Sequence, residues 1–210
     1  MQNLNILSIA KRLQSIAQGG IFYSEDKPFD RERYEEISQL SVQILSNLTD
    51  EPIEKIGNLF TQERDGYQTP KVDIRAVIFN KSGDILMVKE KVDGRWSLPG
   101  GWADVGYSPA EVAVKEVQEE TGLDVKTLRI LAIIDKRNHL HPPEGWYVYK
   151  IFILCEVIGG EISKNTTETS DIQYFSSQNL PPLSEPRNVD SQIKLMFEYR
   201  DNPEKTVHFE

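Results

Sequence analysis

The 210-residue chain holds one cysteine, Cys155, and three histidines. A lone cysteine excludes a disulfide within the chain, which suits a reducing compartment. Inside the apolar run YKIFILCEV it reads as a small core residue. Long hydrophobic runs are missing too: no stretch approaches the ~18 apolar residues of a membrane span. Basic residues are in the minority, 24 Lys+Arg against 33 Asp+Glu, for a net charge of −9. That balance argues against a general polyanion binder, whose affinity rests on Lys/Arg phosphate contacts. A protein this acidic that handles phosphates does so through a metal or a few local cations. The N-terminal stretch MQNLNILSIAKRLQSIAQGG is a poor signal sequence, because Lys11 and Arg12 interrupt its apolar run. The expected location is cytoplasmic, with no membrane partner. Repeats and low-complexity tracts are absent.

Three amphipathic helices are expected first. Leu4, Leu7, Leu13 and Ile16, with Ala10 and Ala17, form an apolar stripe that stops at Gly19-Gly20, a helix-stop signal. Asp30 can cap a second helix carrying Tyr34, Ile37, Ile44, Leu45 and Leu48. Thr49 or Asp50 can cap a third, with Pro52 in its first turn and Ile53, Ile56, Leu59 and Phe60 inward. The polar TQERDGYQTP then reads as a linker near 62–70. Residues 1–66 therefore form a helical module for dimerisation or substrate selection, and 67–210 a second domain. From Lys71 the period changes. VDIRAVIF and DILMVKE are strand-like and joined by NKSG, a hairpin turn; LRILAIIDKR, WYVYKIFILCEV and DIQYFS are further strands, with IGGEI as a turn. RNVDSQIKLMFEYR closes the chain as a helix. Elements in this order suggest a mixed sheet with helices on both faces, an α/β fold.

The segment SPAEVAVKEVQEETGL carries the chemistry. Ser108 and Glu111 form a capping box with Pro109 at the first helical position, and Gly122 ends the helix. Ala110, Ala113, Val114 and Val117 are the expected buried stripe. Glu116, Glu119 and Glu120 lie at i, i+3 and i+4 on one flank, where like charges cost roughly 0.2–0.5 kcal/mol per pair. A face meant only for water would put its acids opposite the stripe and mix in lysines, whereas here they crowd toward the turn LPGG. Mg²⁺ or Mn²⁺ is the species that would cancel this repulsion, using carboxylate and carbonyl oxygens and completed by substrate phosphates. The glycine backbone at Gly101 can approach closely enough to offer its carbonyl.

From Gly101 to Leu123 the chain resembles the Nudix hydrolase signature: a glycine, five residues, a glutamate, seven residues, then Arg-Glu-hydrophobic-x-Glu-Glu-x-Gly-hydrophobic. Here the core is Lys115-Glu116-Val117-Gln118-Glu119-Glu120, closed by Thr121-Gly122-Leu123. Tyr107 replaces the first glutamate and Lys115 the arginine. Those two positions often interact within the family, so their joint change has the form of a swapped pair. Lysine keeps the charge beside Glu116 but lacks the planar fork. The resemblance implies an α/β/α sandwich with a mixed sheet, Mg²⁺ or Mn²⁺ on Glu116, Glu119 and Glu120, and cleavage of a nucleoside diphosphate linked to another group. Glu116 is expected as the general base toward the attacking water, with Lys115 helping to keep it ionised. The flanks, WSLPGGWADVG and HPPEGWYVYKIFILCEVIGGE, resemble a bacterial branch typified by CDP-choline pyrophosphatase. That places CDP-choline first and ADP-ribose second as substrate, and a homodimer as the assembly.

Other residues are candidates of lower rank. Glu168, in NTTETSD, lies where the family often places a further metal-binding or basic carboxylate, and reads equally as a surface-loop acid. Arg75 and Arg137 sit on strands or strand ends and could contact phosphate, though a solvated or ion-paired arginine is the commoner outcome; Tyr149, with Trp146 and Tyr147, could stack on a base or pack in the core. His139 and His141 in NHLHPP fit a loop lining the cleft, or plain surface, better than a zinc site. Two alternatives stand beside the hydrolase: a nucleotide-sensing regulator without turnover, and an RNA-end-processing hydrolase, with RNA as a secondary substrate.

Overall fold

In the computed structural model, the described residues are 6–24, 27–49, 52, 69–163 and 166–210. They fall into two units: one includes the described residues up to Pro70 with Pro143–Tyr147, the other Lys71–Pro142 with Val148–Glu210.

The first unit is built on α1 (Ile6–Tyr23) and α2 (Pro28–Thr49). Contrary to the stop expected at Gly19-Gly20, α1 runs straight through both glycines. A Cβ on Gly20 would lie 2.4 Å from the Tyr34 ring, so the glycine serves close helix packing rather than termination. The helix also turns differently from the expected stripe. Ala10 and Ala17 are buried, but so are Lys11 and Gln14, while Leu13 and Ile16 face outward. Gln14 hydrogen-bonds Ser38 (2.9 Å) and Ser41 across the seam, so a satisfied polar group takes an interior place. α2 starts at Pro28, which leaves Asp30 in the first turn, paired with Arg33, rather than at the cap. The third expected helix and most of the linker lie outside the described residues.

The second unit holds β1 (Lys71–Ile78), β2 (Ile85–Glu90), β3 (Trp96–Ser97), α3 (Pro109–Thr121), β4 (Leu123–Asp135), β5 (Val148–Gly160), β6 (Thr169–Phe175), α4 (Asp190–Asp201) and β7 (His208–Phe209). Its strands divide into a mixed four-stranded sheet, β1-β5-β4-β7, and an antiparallel three-stranded sheet, β3-β2-β6. Period-two alternation sends Ile74, Ala76, Ile78, Leu86 and Val88 to one core with Val112, Ala113 and Val117 of α3. It sends Val77, Ile85 and Met87 to a second core with Ile193, Met196 and Phe197 of α4. Helices thus cover two opposite faces, as expected for the α/β/α sandwich.

Several local expectations change. NKSG does form a turn, with Asn80 Oδ1 accepting the Ser82 and Asp84 N–H groups at 2.9 Å. Beyond one Phe79–Ile85 bridge, however, its strands part into different sheets, and β1 pairs in parallel with β5. IGGEI is no turn at its start: β5 continues to Gly160 opposite Leu123. The closing helix starts at Asp190, not Arg187.

Candidate active site

The turn Pro99–Ala103 lies along the outer edge of β1. Ala76 N donates to Pro99 O (2.8 Å), Ile74 N to Gly101 O (2.8 Å) and Ala103 N to Val72 O (2.9 Å). Gly100 adopts φ +145°, and a Cβ there would fall 2.0 Å from Ile74 O, so only glycine fits the close approach. α3 is set against this turn by its own ends. Ser108 Oγ accepts from Glu111 N (3.3 Å), Glu111 Oε2 accepts from Ser108 N (2.8 Å), and Gly122 closes the helix at φ 76°. The buried stripe is rotated from the expected one: Ala110 is exposed and Val112 takes its place. The rotation brings Glu116 and Glu120 inward and leaves Glu119 out.

Glu120 is 5% exposed and accepts from Gly100 N at 3.0 Å. Burial pushes its carboxyl up to about 8, against the opposing attraction of Arg75 and the Gly100 N–H. Glu116 packs on Gly101: a Cβ added there would come within 2.8 Å of its Oε1. Its carboxyl is also raised, chiefly by burial: Lys115 lowers the value, as expected of it, but does not outweigh the burial, so the net shift is upward. Glu119 is more than half exposed. Lys115 Nζ stands among three carboxylates, 3.3 Å from Asp104, 3.8 Å from Glu116 and 3.5 Å from Glu119. It also lies 6.0 Å from the Tyr107 ring, so the two residues that replace the signature pair do face each other. The Asp104 hydrogen bond, with these charges, raises its pKa.

Among the described residues, no group of three His, Cys, Asp or Glu is gathered closely enough to hold a metal as it stands. Glu119 leans toward Lys115 and Glu120 is taken by Gly100. The donor set nevertheless suits a hard divalent cation. It is all oxygen, it includes a buried carboxyl short of countercharge, and Gly101 leaves open the space beside Glu116 that a Cβ would fill. The ammonium of Lys115 already marks the negative potential such an ion would meet. Glu168 is exposed before β6, and its charge reaches Glu116, raising that carboxyl slightly further.

The remaining candidates are spread out. Arg75 is buried, with Nε and Nη2 on the Asp73 carboxylate (3.1 and 2.8 Å) and Nη1 on Leu98 O (3.1 Å). Its fork is therefore committed inside the protein. Arg137 is half exposed and bonded to Asp135. Tyr149 is exposed, in register with Val72 and Asp135. Tyr147 instead belongs to the helical unit, donating to Ser8 O (3.2 Å) beneath Lys11. The histidines fasten α4 and the last residue. His141 Nε2 meets Gln192 Nε2 at 2.9 Å and its Nδ1 meets Glu185 O at 2.5 Å. Burial holds His141 down to about 3, so it is a neutral structural group. His139 meets Ser191 and Glu210, each at 3.2 Å.

Residues not singled out from sequence also build the site's floor. Lys150 Nζ closes on Asp73, which stays ionised below the usual range because Arg75 and Lys150 outweigh its burial. Glu90 accepts from Ser97 Oγ (2.6 Å) and pairs with Arg187 (2.9 Å). Asp73 was detectable as a charge two residues before the candidate Arg75 in an apolar strand; Asn188, bonded to Leu98 N, carried no local signal.

Residues 69–197 match the NUDIX domain family, and residues 5–60 match the family described as "UDP-X-like, N-terminal oligomerisation domain". The "Putative ADP-ribose pyrophosphatase YjhB" of Bacillus subtilis (strain 168) is 42% identical over 204 residues, 97% of this chain and 96% of the relative. A crystal structure of an ADP-ribose pyrophosphatase from Streptococcus suis 89-1591 is 44% identical, with a TM-score of 0.61 over 68% of this chain and 100% of that one. A crystal structure of UDP-X diphosphatase is 31% identical, with a TM-score of 0.63 over 99% of this chain and 100% of that one.

Proposed function

Because the chain belongs to the Nudix hydrolase family, we propose that it splits the diphosphate of a nucleoside diphosphate linked to a second group. The products are a nucleoside monophosphate and a phosphorylated partner. The observation that carries this reading is the placement of Glu116 and Glu120 against the Gly100-Gly101 backbone, with Glu119 and Lys115 beside them. ADP-ribose is the first substrate to try, because similar proteins bear that name over most or all of their length. UDP-linked compounds follow from the UDP-X diphosphatase likeness. CDP-choline, ranked first on the flanking sequence, stands behind both.

Mg²⁺ or Mn²⁺ would be held by Glu116, Glu119 and Glu120, with the Gly101 carbonyl assisting and Glu168 in reserve. When bound, such an ion neutralises the carboxylates and polarises the diphosphate. Glu116 takes the proton of the attacking water; its carboxyl, raised by partial burial, is a better base than an exposed glutamate. Lys115 steadies Glu116 and Glu119 by charge. Arg137 and Tyr149 contribute contacts to the substrate, and the helical module, residues 1–66, assembles the homodimer.

The test is a panel of ADP-ribose, UDP-sugars, CDP-choline and 5′-triphosphorylated RNA with Mg²⁺ or Mn²⁺. ADP-ribose is expected to give AMP and ribose 5-phosphate, and Glu116→Gln to lose about 10²–10⁴-fold of that rate. No hydrolysis of any nucleoside diphosphate compound sinks the reading. Normal turnover by E116Q beside a dead Glu168→Gln moves the base to the later loop.

A further inference from the structure

β3 ends at Ser97 in the three-stranded sheet, and Pro99 is already bonded to β1 of the other sheet. Leu98, fully buried, is the residue at which the chain crosses between them. Side chains take both of its backbone groups. Its N–H donates to Asn188 Oδ1 at 2.9 Å, and its C=O accepts from Arg75 Nη1 at 3.1 Å. Neither partner is free to swing. Arg75 is locked by two further bonds to Asp73, onto which Lys150 also closes. Asn188 is fully buried, its own N–H donates to Ser184 O (2.8 Å), and its neighbour Arg187 pairs with Glu90.

What Leu98 fixes is the start of the turn that meets the acids. The next three residues bring Pro99 O to Ala76 N, Gly100 N to Glu120, and Gly101 against Glu116. A shift at Leu98 therefore moves the backbone partners of two carboxylates together. We infer that Asn188 and Arg75 are positioning residues for the cation site, acting through the Leu98 peptide; the identity of that site rests on the Nudix reading above. Arg75 accordingly acts on the site from inside the protein, buried and with three of its five guanidinium N–H groups bonded to Asp73 and Leu98 O.

The amide nitrogen of Asn188 has no hydrogen-bond partner among the described residues. Among the described residues only its oxygen is used, which separates two substitutions. Asn188→Ala strands the buried Leu98 N–H, whereas the carboxyl of Asn188→Asp, ionised or protonated, keeps an acceptor there in place of a donor with no partner among the described residues. The experiment measures Mn²⁺ binding by titration and deuterium uptake by residues 98–101 in the full chain. Supporting residues around a metal typically govern about 10–100-fold of affinity. N188A is expected to weaken Mn²⁺ on that scale and to speed exchange at 98–101. N188D should stay within about threefold of wild type, the rescue expected of an oxygen-only role. A folded N188A with wild-type Mn²⁺ affinity overturns the inference, as does N188D as weak as N188A. If N188A fails to fold, Arg75→Lys carries the test: lysine keeps the charge but cannot span Asp73 and Leu98 O. The same loss is then expected, and wild-type affinity in folded R75K is the overturning result. A wild-type protein that binds Mn²⁺ but hydrolyses none of the panel defeats the functional reading alone, because uptake at 98–101 reports on the clamp without substrate.

Discussion

Glu120 shows what a single side chain contributes when it is shut away from water. Its carboxyl rises from 4.5 to about 8, principally through burial, because Arg75 and one backbone N–H offset only part of the cost of keeping a charge there. The folded state thus holds this proton more tightly than the unfolded chain. Its stabilising contribution is full below pH 4.5 and is lost as pH rises through about 8. In chelator, wild type should lose stability relative to Glu120→Gln between pH 5 and pH 8, and Mg²⁺ should narrow the gap by stabilising wild type more. Parallel stability curves for the two proteins, measured by denaturant unfolding, would count against a buried, metal-seeking carboxylate. His141 runs the other way, losing stability as pH falls below 6.5 toward about 3, but it is common to both proteins and cancels in the difference.

At the scale of elements, α1 and α2 are joined through a glycine that local rules misassign. Replacing a helical glycine by alanine ordinarily gains about 1 kcal/mol. At Gly20 the added Cβ would sit 2.4 Å from the Tyr34 ring, and overpacking of that kind costs typically 1–3 kcal/mol. Packing wins. Gly20→Ala is expected to destabilise the helical unit by about 1 kcal/mol net, seen as faster hydrogen exchange in α1 and α2 with the rest of the chain unchanged. A G20A protein with slower exchange in those helices would show that α2 does not press on α1 there. The ends of α3 obey the opposite logic. They are set by neighbours in sequence, so the capping box and Gly122 appear where local chemistry puts them.

For the whole molecule, the outward face of α1 matters most. Ile6, Ile9, Leu13 and Ile16 are 60, 38, 36 and 45% exposed, spaced three, four and three residues apart on one stripe. A continuous apolar stripe turned to solvent marks an association surface, and this segment matches an N-terminal oligomerisation domain. The protein is expected to sediment as a homodimer, and the double substitution Ile9→Glu with Ile16→Glu to give a folded monomer. A double variant that remains dimeric would move the interface elsewhere.

Sequence alone determined what nearest neighbours can enforce. Those features are the bounds of α3, the presence of Glu116 and Glu120 beside a glycine turn, and the apolar strands from Lys71 onward. Each depends on residues within about one helical turn or on a strict period, so it survives without knowledge of the fold. Tertiary structure alone decided which strands pair and who occupies the interior. VDIRAVIF left its apparent hairpin partner for β5, the stripe of α1 turned outward, and Arg75 became a buried strut. Leu98 gained partners 23 and 90 residues away. The reason is physical. A buried charge or an unpaired peptide can be satisfied by any complementary group the fold brings near, and many distant residues are chemically equivalent until packing selects one.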